Sequence, residues 1–384
     1  MTSEWSTIRA ADFIDFNPRL SLKKGAIATK VAMDKLKPFS KNIPETEKTE
    51  FNGGAKFCNG DTVMARITPC LENGKTAYVD MLDDGEIGFG STEFIVMRAK
   101  AGISDPQFVY YTAINPTFRN VAIKSMVGSS GRQRVQQSVL EELELSVPNL
   151  DEQRRIGSFL AGLDEKIALN NRINDNLQQQ AMALYAEMFL NSSNSNVISG
   201  TLSDIAVITM GQSPSGSSYN EDGVGEVFYQ GRAEFGFRFP KRRLFTTEPK
   251  RMAEDGDVLL SVRAPVGDLN IAYERCCIGR GLGAIHSKTG HSSFVLYTMF
   301  ALRSQLDVFN GEGTVFGSIN RDALNAIPID IPPVTEIAQF EAVAHPIDEL
   351  IRANYEENCR LEAIRDSLLP KLMSGEIDVS DVQL

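Results

Sequence analysis

The densest chemistry in this chain lies in a run of small residues ending in cations: Gly128, Ser129, Ser130, Gly131, Arg132, Gln133 and Arg134. Glycines and serines leave main-chain N–H groups open to an anion, and the two guanidiniums add positive charge, so the run suits a phosphate. Arginine and glutamine also fork onto the edges of guanine and adenine. A matching stretch, Gly313, Thr314, Val315, Phe316, Gly317, Ser318, Ile319, Asn320 and Arg321, lies further on. The same half carries Gln230, Arg232, Arg238, Arg263 and the run Lys241, Arg242, Arg243. Lys23, Lys24, Lys30, Lys35, Lys37 and Lys41 add cations in the first half. The expected nucleic-acid contacts are Ser129, Ser130, Arg132, Gln133 and Arg134 on one side. On the other they are Gln230, Arg232, Lys241, Arg242, Arg243, Arg263, Thr314 and Ser318.

Catalytic patterns fail on inspection. PCLENGKT (69–76) ends like a phosphate-binding P-loop, but Pro69 stands where the turn needs glycine. GQSPSG (211–216) puts Ser215 where a nucleophile elbow needs its closing glycine, and GRGLG (279–283) lacks dinucleotide spacing. The five cysteines form no C-x-x-C pair and the three histidines lack matched ligand partners. That pattern points to a reduced, cytoplasmic setting with no metal and no disulfide framework. There is no apolar run long enough to cross a membrane and no secretory leader pattern, so no membrane partner is expected. The reading is a chain that binds and does not catalyse.

The 384 residues carry a net charge of −11, which at first argues against nucleic acid. The distribution matters more. Residues 1–150 balance 18 basic against 18 acidic groups, while residues 335–384 hold 4 basic and 11 acidic ones. Near-neutral segments can still present a basic face.

The elements that must position these residues come in two copies. Asn17-Pro18, Gly60-Asp61 and Pro69 recur as Ser213-Pro214, Gly256-Asp257 and Pro265 at an offset of 196; Leu140, Pro148 and Glu152 recur as Leu324, Pro332 and Glu336 at 184. The net loss of 12 residues in the second copy is expected between Pro265 and Leu324. Each half ends in a helical pattern, 151–190 and 335–373. Leu163, Ile167, Asn170, Asn174, Leu177, Ala181, Leu184 and Met188 follow the 4-3 spacing of a coiled-coil seam. Ile347, Ile351, Asn354, Asn358, Leu361, Arg365, Leu368 and Leu372 repeat it position by position. Buried seam asparagines fix register at some cost in stability. The expectation is an antiparallel pair of helices, each spanning roughly 60 Å. Thr335 is the expected N-cap of the second helix, and Pro346 and Pro370 should kink or divide it.

Runs such as 62–67, 76–80, 93–98, 257–263 and 270–274 read as strands, and 105–114 and 292–302 as a matched helix in each half. The expected fold class is α/β (α+β), two mixed domains with long helices in pseudo-two-fold duplication. Its divisions are domain 1–150, helix 151–190, linker 191–200, domain 201–334, helix 335–373 and tail 374–384.

VPNLDEQRRIGSFLAGLDEKI (147–167), GTVFGSI (313–319), IPPVTEIAQF (331–340) and LLPKLMSGEIDV (368–379) resemble the specificity subunit of type I restriction–modification enzymes over essentially the whole chain. Ile337 in place of glutamine, Pro346, and NSSNSN (191–196) in place of a Ser-Gly-Glu ending depart from that pattern. The resemblance implies two target-recognition domains, each reading half of a bipartite double-stranded DNA sequence, with the helices setting the gap between halves. It implies docking of two methylation subunits and of restriction subunits in a restriction endonuclease and DNA adenine methyltransferase complex. S-adenosylmethionine, ATP and Mg would sit on those partners, with no cofactor in this chain. Two other readings stand beside it: a coiled-coil scaffold without DNA contact, and a stand-alone DNA-modifying enzyme with divergent motifs.

Overall fold

The computed structural model describes residues 5–191, 197–311 and 317–382. Two compact units emerge, one formed by residues 1–171 with 355–384, the other by 172–354.

In the first unit, Ile14–Phe16, Phe94–Ala99, Thr62–Ala65 and Thr76–Tyr78 make an antiparallel sheet in that order. A second sheet runs Glu47–Glu50, Ile27–Val31, Gly88–Gly90, Ala55–Phe57, with one parallel pairing between Ile27–Val31 and Gly88–Gly90. Thr62–Ala65 is buried at every residue, so both faces of its sheet are covered. Helix Pro106–Ile114 packs on it through Phe108, Val109, Tyr110 and Tyr111.

The second unit repeats the plan. Ala206–Met210, Leu282–Ser287, Val258–Ser261 and Leu269–Ile271 form the antiparallel sheet, and Glu226–Tyr229 pairs in parallel with Cys276–Ile278 in the other. Helix Ser292–Ala301 takes the place of Pro106–Ile114.

The recurring Gly-Asp pair now has a reason. Gly60 and Gly256 adopt left-handed conformations, φ +91 and +83, that a side chain would oppose. Each following aspartate accepts the N–H three residues back, from Cys58 and from Glu254, both at 2.8 Å. The missing 12 residues do not leave at one place. Met97 and Ile285 face equivalent strand partners at an offset of 188, so part of the loss precedes that strand and the remainder follows it.

The first long helix, Leu150–Tyr185, closes in a π-helical turn over Ala186–Leu190. Asn149 caps it, its Oδ1 accepting the Glu152 N–H at 3.0 Å. The second, Val334–Ser374, runs unbroken through Pro346 and Pro370, against the expected interruption. Both prolines lie on exposed positions, where water can solvate the carbonyls they leave unpaired. Thr335 is not the cap either: it sits inside the first turn, and the Pro333 carbonyl accepts the first helical N–H groups.

The helices run antiparallel in both units, and no residue of the expected seam is exposed. In the first unit Asn170 Nδ2 donates to Asn358 Oδ1 at 2.9 Å and to Glu357 at 2.7 Å, and Asn358 donates to Asn171 at 2.9 Å. In the second, Asn354 Nδ2 donates to Asn174 Oδ1 at 2.8 Å. Leu163, Ile167 and Leu372 are buried on one side of this division and Ile351 on the other, with Leu177, Leu184, Ile347, Leu361 and Leu368 half-buried. Seam position Arg365 carries a charge because Asp164 meets it at 2.6 Å.

Candidate nucleic-acid interface

The cation-ending loop of the first unit is a small hairpin. Val127 and Arg134 exchange both main-chain hydrogen bonds, at 3.0 and 2.9 Å, and Arg132 N–H closes the turn on Ser129 at 3.0 Å. Gly128, at φ +137, lies so close to the Arg132 carbonyl that a Cβ would stand 2.9 Å from it. Ser129, Ser130 and Arg132 are exposed at the tip, Gln133 is half-buried and Arg134 exposed.

This hairpin is clamped to the segment leaving strand Thr62–Ala65. Thr68 N–H donates to the Gln133 carbonyl at 3.0 Å and Val135 N–H to the Arg66 carbonyl at 2.8 Å, around a bridge between Ile67 and Arg134. The second unit builds the same clamp: Ala264 N–H to the Gly317 carbonyl, Ile319 N–H to the Val262 carbonyl, both 3.0 Å, around a bridge between Arg263 and Ser318. The arginine therefore stands on opposite strands of one repeated bridge: Arg134 on the hairpin side, Arg263 on the sheet side. Thr314 lies outside the described residues.

Gln230 joins the second clamp through main chain, its carbonyl accepting from Gly281, whose own carbonyl accepts from Val262. Three of the remaining cations are held by carboxylates. Arg232 and Arg303 share Asp268, at 2.5 and 2.9 Å. Arg242 pairs with Glu274, and Arg243 spans Glu221 and Glu234 at 3.0 and 2.5 Å. Lys241 is exposed, its N–H fixed to the Glu234 carbonyl. Arg134 is also paired: Glu93 takes its Nε at 2.9 Å and Nη2 at 2.6 Å. So Arg134, Arg232, Arg242 and Arg243 are not the bare charges the sequence suggests. Half-exposed pairs of this kind are weak in water, so they orient a guanidinium without locking it away from a ligand.

Two expected surface cations are buried instead. Lys41 stands over the rings of Tyr78, Tyr110 and Tyr111 at 5.3–5.8 Å, and burial lowers its pKa against the pull of Asp164. Arg238, 3% exposed, lies against Tyr297 and Phe300 and 3.4 Å from Asp348. Each belongs to a joint that fastens sheet domain to long helix. Tyr111 Oη donates to Asp164 at 2.6 Å in one unit, and Tyr297 Oη donates to Asp348 at 2.9 Å in the other.

Glu93, Asp268 and Arg66 were missed at the sequence level. Arg66 directly follows a buried strand and, with Arg19, Lys56, Asn17 and Phe94, lines a cleft of about 610 Å³ beside the first clamp. A charged residue at the end of a strand was the available signal.

Two copies of a sheet domain, each presenting a clamped loop and fastened to a long helix, define a tandem recognition protein. The chain belongs to the type I restriction–modification DNA specificity family, whose model matches residues 3–179 and 194–356. Its role is the recognition of a DNA target. A protein named as the type I restriction enzyme MjaX specificity subunit of Methanocaldococcus jannaschii is 29% identical over 338 residues, 83% of this chain and 79% of that one. The EcoAI specificity subunit of Escherichia coli is 38% identical over 104 residues, 27% of this chain and 18% of that one. The crystal structure of a type I restriction–modification S subunit from M. genitalium shares the fold, with a TM-score of 0.52, 17% identity and 96% of each chain covered.

Proposed function

We propose that residues 1–150 and 201–334 each read one half of a bipartite double-stranded DNA sequence, and that the long helices set the gap between the halves. The supporting observation is the twice-built clamp: identical main-chain bonding presents Arg134 in one copy and Arg263 with Ser318 in the other. A fixed scaffold with changed side chains is what two different base sequences require. The chain itself performs no chemistry. Two methylation subunits carrying S-adenosylmethionine dock on the helices, and restriction subunits using ATP and Mg join them. The acidic 335–384 segment faces these protein partners rather than DNA, because its net charge of −7 would repel phosphates.

The test is a change of helix length. Matched insertion of one helical turn into 163–188 and into its partner stretch is expected to alter the gap in the modified motif, mapped genome-wide, while both half-site sequences persist. Altered half-sites with an unchanged gap would reject the ruler.

A further inference from the structure

We propose that Glu93 is a positioning residue that turns Arg134 from a phosphate-binding cation into a reader of a single guanine. This rests on the reading above that the first clamp meets DNA.

Glu93 is placed firmly. Its N–H donates to Ser91 Oγ at 3.1 Å and its carbonyl accepts the Arg66 N–H at 2.9 Å, so its main chain is tied to the same segment that grips the hairpin. Its carboxylate accepts from Arg134 Nε and Nη2, and the hydrogen bonds from Arg134 hold its pKa below the ordinary carboxylate range. It is therefore ionised near neutrality.

Two consequences follow from guanidinium geometry. The Nε–Nη2 edge is occupied, which leaves the end-on fork of Nη1 and the second Nη2 hydrogen free. That fork can span the O6 and N7 acceptors of guanine. The adjacent carboxylate also cancels most of the charge, so a phosphate gains little from approaching and meets a repelling anion. A neutral acceptor pair suffers no such penalty. Arg132, two residues earlier on the exposed tip, has no carboxylate partner among the described hydrogen bonds and ion pairs, and keeps the character of a phosphate contact.

The test replaces the chromosomal copy with E93Q, R134K or R134A and maps modified bases genome-wide. E93Q keeps size but loses the charge that orients the arginine; R134K keeps the charge but loses the fork. Both are expected to relax guanine preference about 10-fold at one position of one half-site, leaving the other half-site intact. Relaxation with R134A but none with E93Q would overturn the positioning role while leaving DNA contact at the clamp in place. Uniform loss of modification at every site with E93Q and R134K would overturn guanine reading in favour of a phosphate or folding role. No change with R134A would overturn the placement of the clamp on DNA itself.

Discussion

The joints between sheet domain and long helix are the same device built with different parts. In the first unit helix Pro106–Ile114 caps itself, the Asp105 carboxylate accepting the Phe108 N–H at 3.0 Å, and the long-helix position facing that carboxylate is Gly157. A Cβ there would stand 2.9 Å from Gln107 Cβ and 3.0 Å from Asp105. In the second unit the corresponding long-helix position is Glu341, and its carboxylate accepts the N–H groups of Ser293 and Phe294 at 3.1 and 3.0 Å. The cap has moved from one element to its neighbour. Further along, Asp164 is answered by Arg365 of the other long helix, whereas Asp348 is answered by Arg238 of its own sheet domain. Gln153, buried and bonded to Pro148, Ile103 and Asp105, is matched by Ile337, buried among apolar side chains. What is conserved is the fastening of a domain to a helix. The residues achieving it differ between the two copies.

The comparison can be broken most sharply at Arg365. With 11% and 6% side-chain exposure, Arg365 and Asp164 form a buried pair, and the pull of Asp164 raises the arginine pKa although burial alone would lower it. R365A leaves Asp164 with the Tyr111 hydrogen bond but without its ion-pair partner and is expected to cost about 3–5 kcal/mol in chemical denaturation. A loss below about 1 kcal/mol, the value of an exposed pair, would show that the first joint does not depend on this contact. Next comes Glu341. E341A removes both caps of helix Ser292–Ala301 and is expected to cost about 1–2 kcal/mol. If the distributed cap is correct, hydrogen exchange should accelerate at Ser293 and Phe294 and not at Phe108. The smallest effect is in pH. Burial raises the Asp348 carboxyl pKa, opposed chiefly by Arg238. The stability it confers is complete below the unfolded carboxyl value and declines as pH rises through the raised folded value. Wild type should therefore gain on D348N as pH falls from neutrality toward the ordinary carboxylate range; a gap that stays constant or narrows all the way down would refute the shift.

The long helices and their seam were legible in the sequence because a 3.5-residue period is local information, and the asparagines at offset 184 marked the register from both sides. Strand positions were legible for the same reason. The burial of Lys41 and Arg238 was not, since their cages are assembled from residues tens of positions away: Tyr110 and Tyr111 for one, Tyr297 and Phe300 for the other. Nor were the carboxylates on the interface arginines. Glu93 lies 41 residues from Arg134 and meets it only because Arg66, Glu93 and Val135 are stitched together by main-chain bonds. The proline-bearing helix misled because exposure, not residue type, decides whether a freed carbonyl costs anything.

The seam asparagines have a consequence for inheritance. Asn358 and Asn354 are the copies of Asn174 and Asn170, so each helix presents to its neighbour the pattern its neighbour presents back. A genetic crossover within the coding sequence of either helix is expected to carry a whole sheet domain with it and to keep the asparagine pairing of the seam.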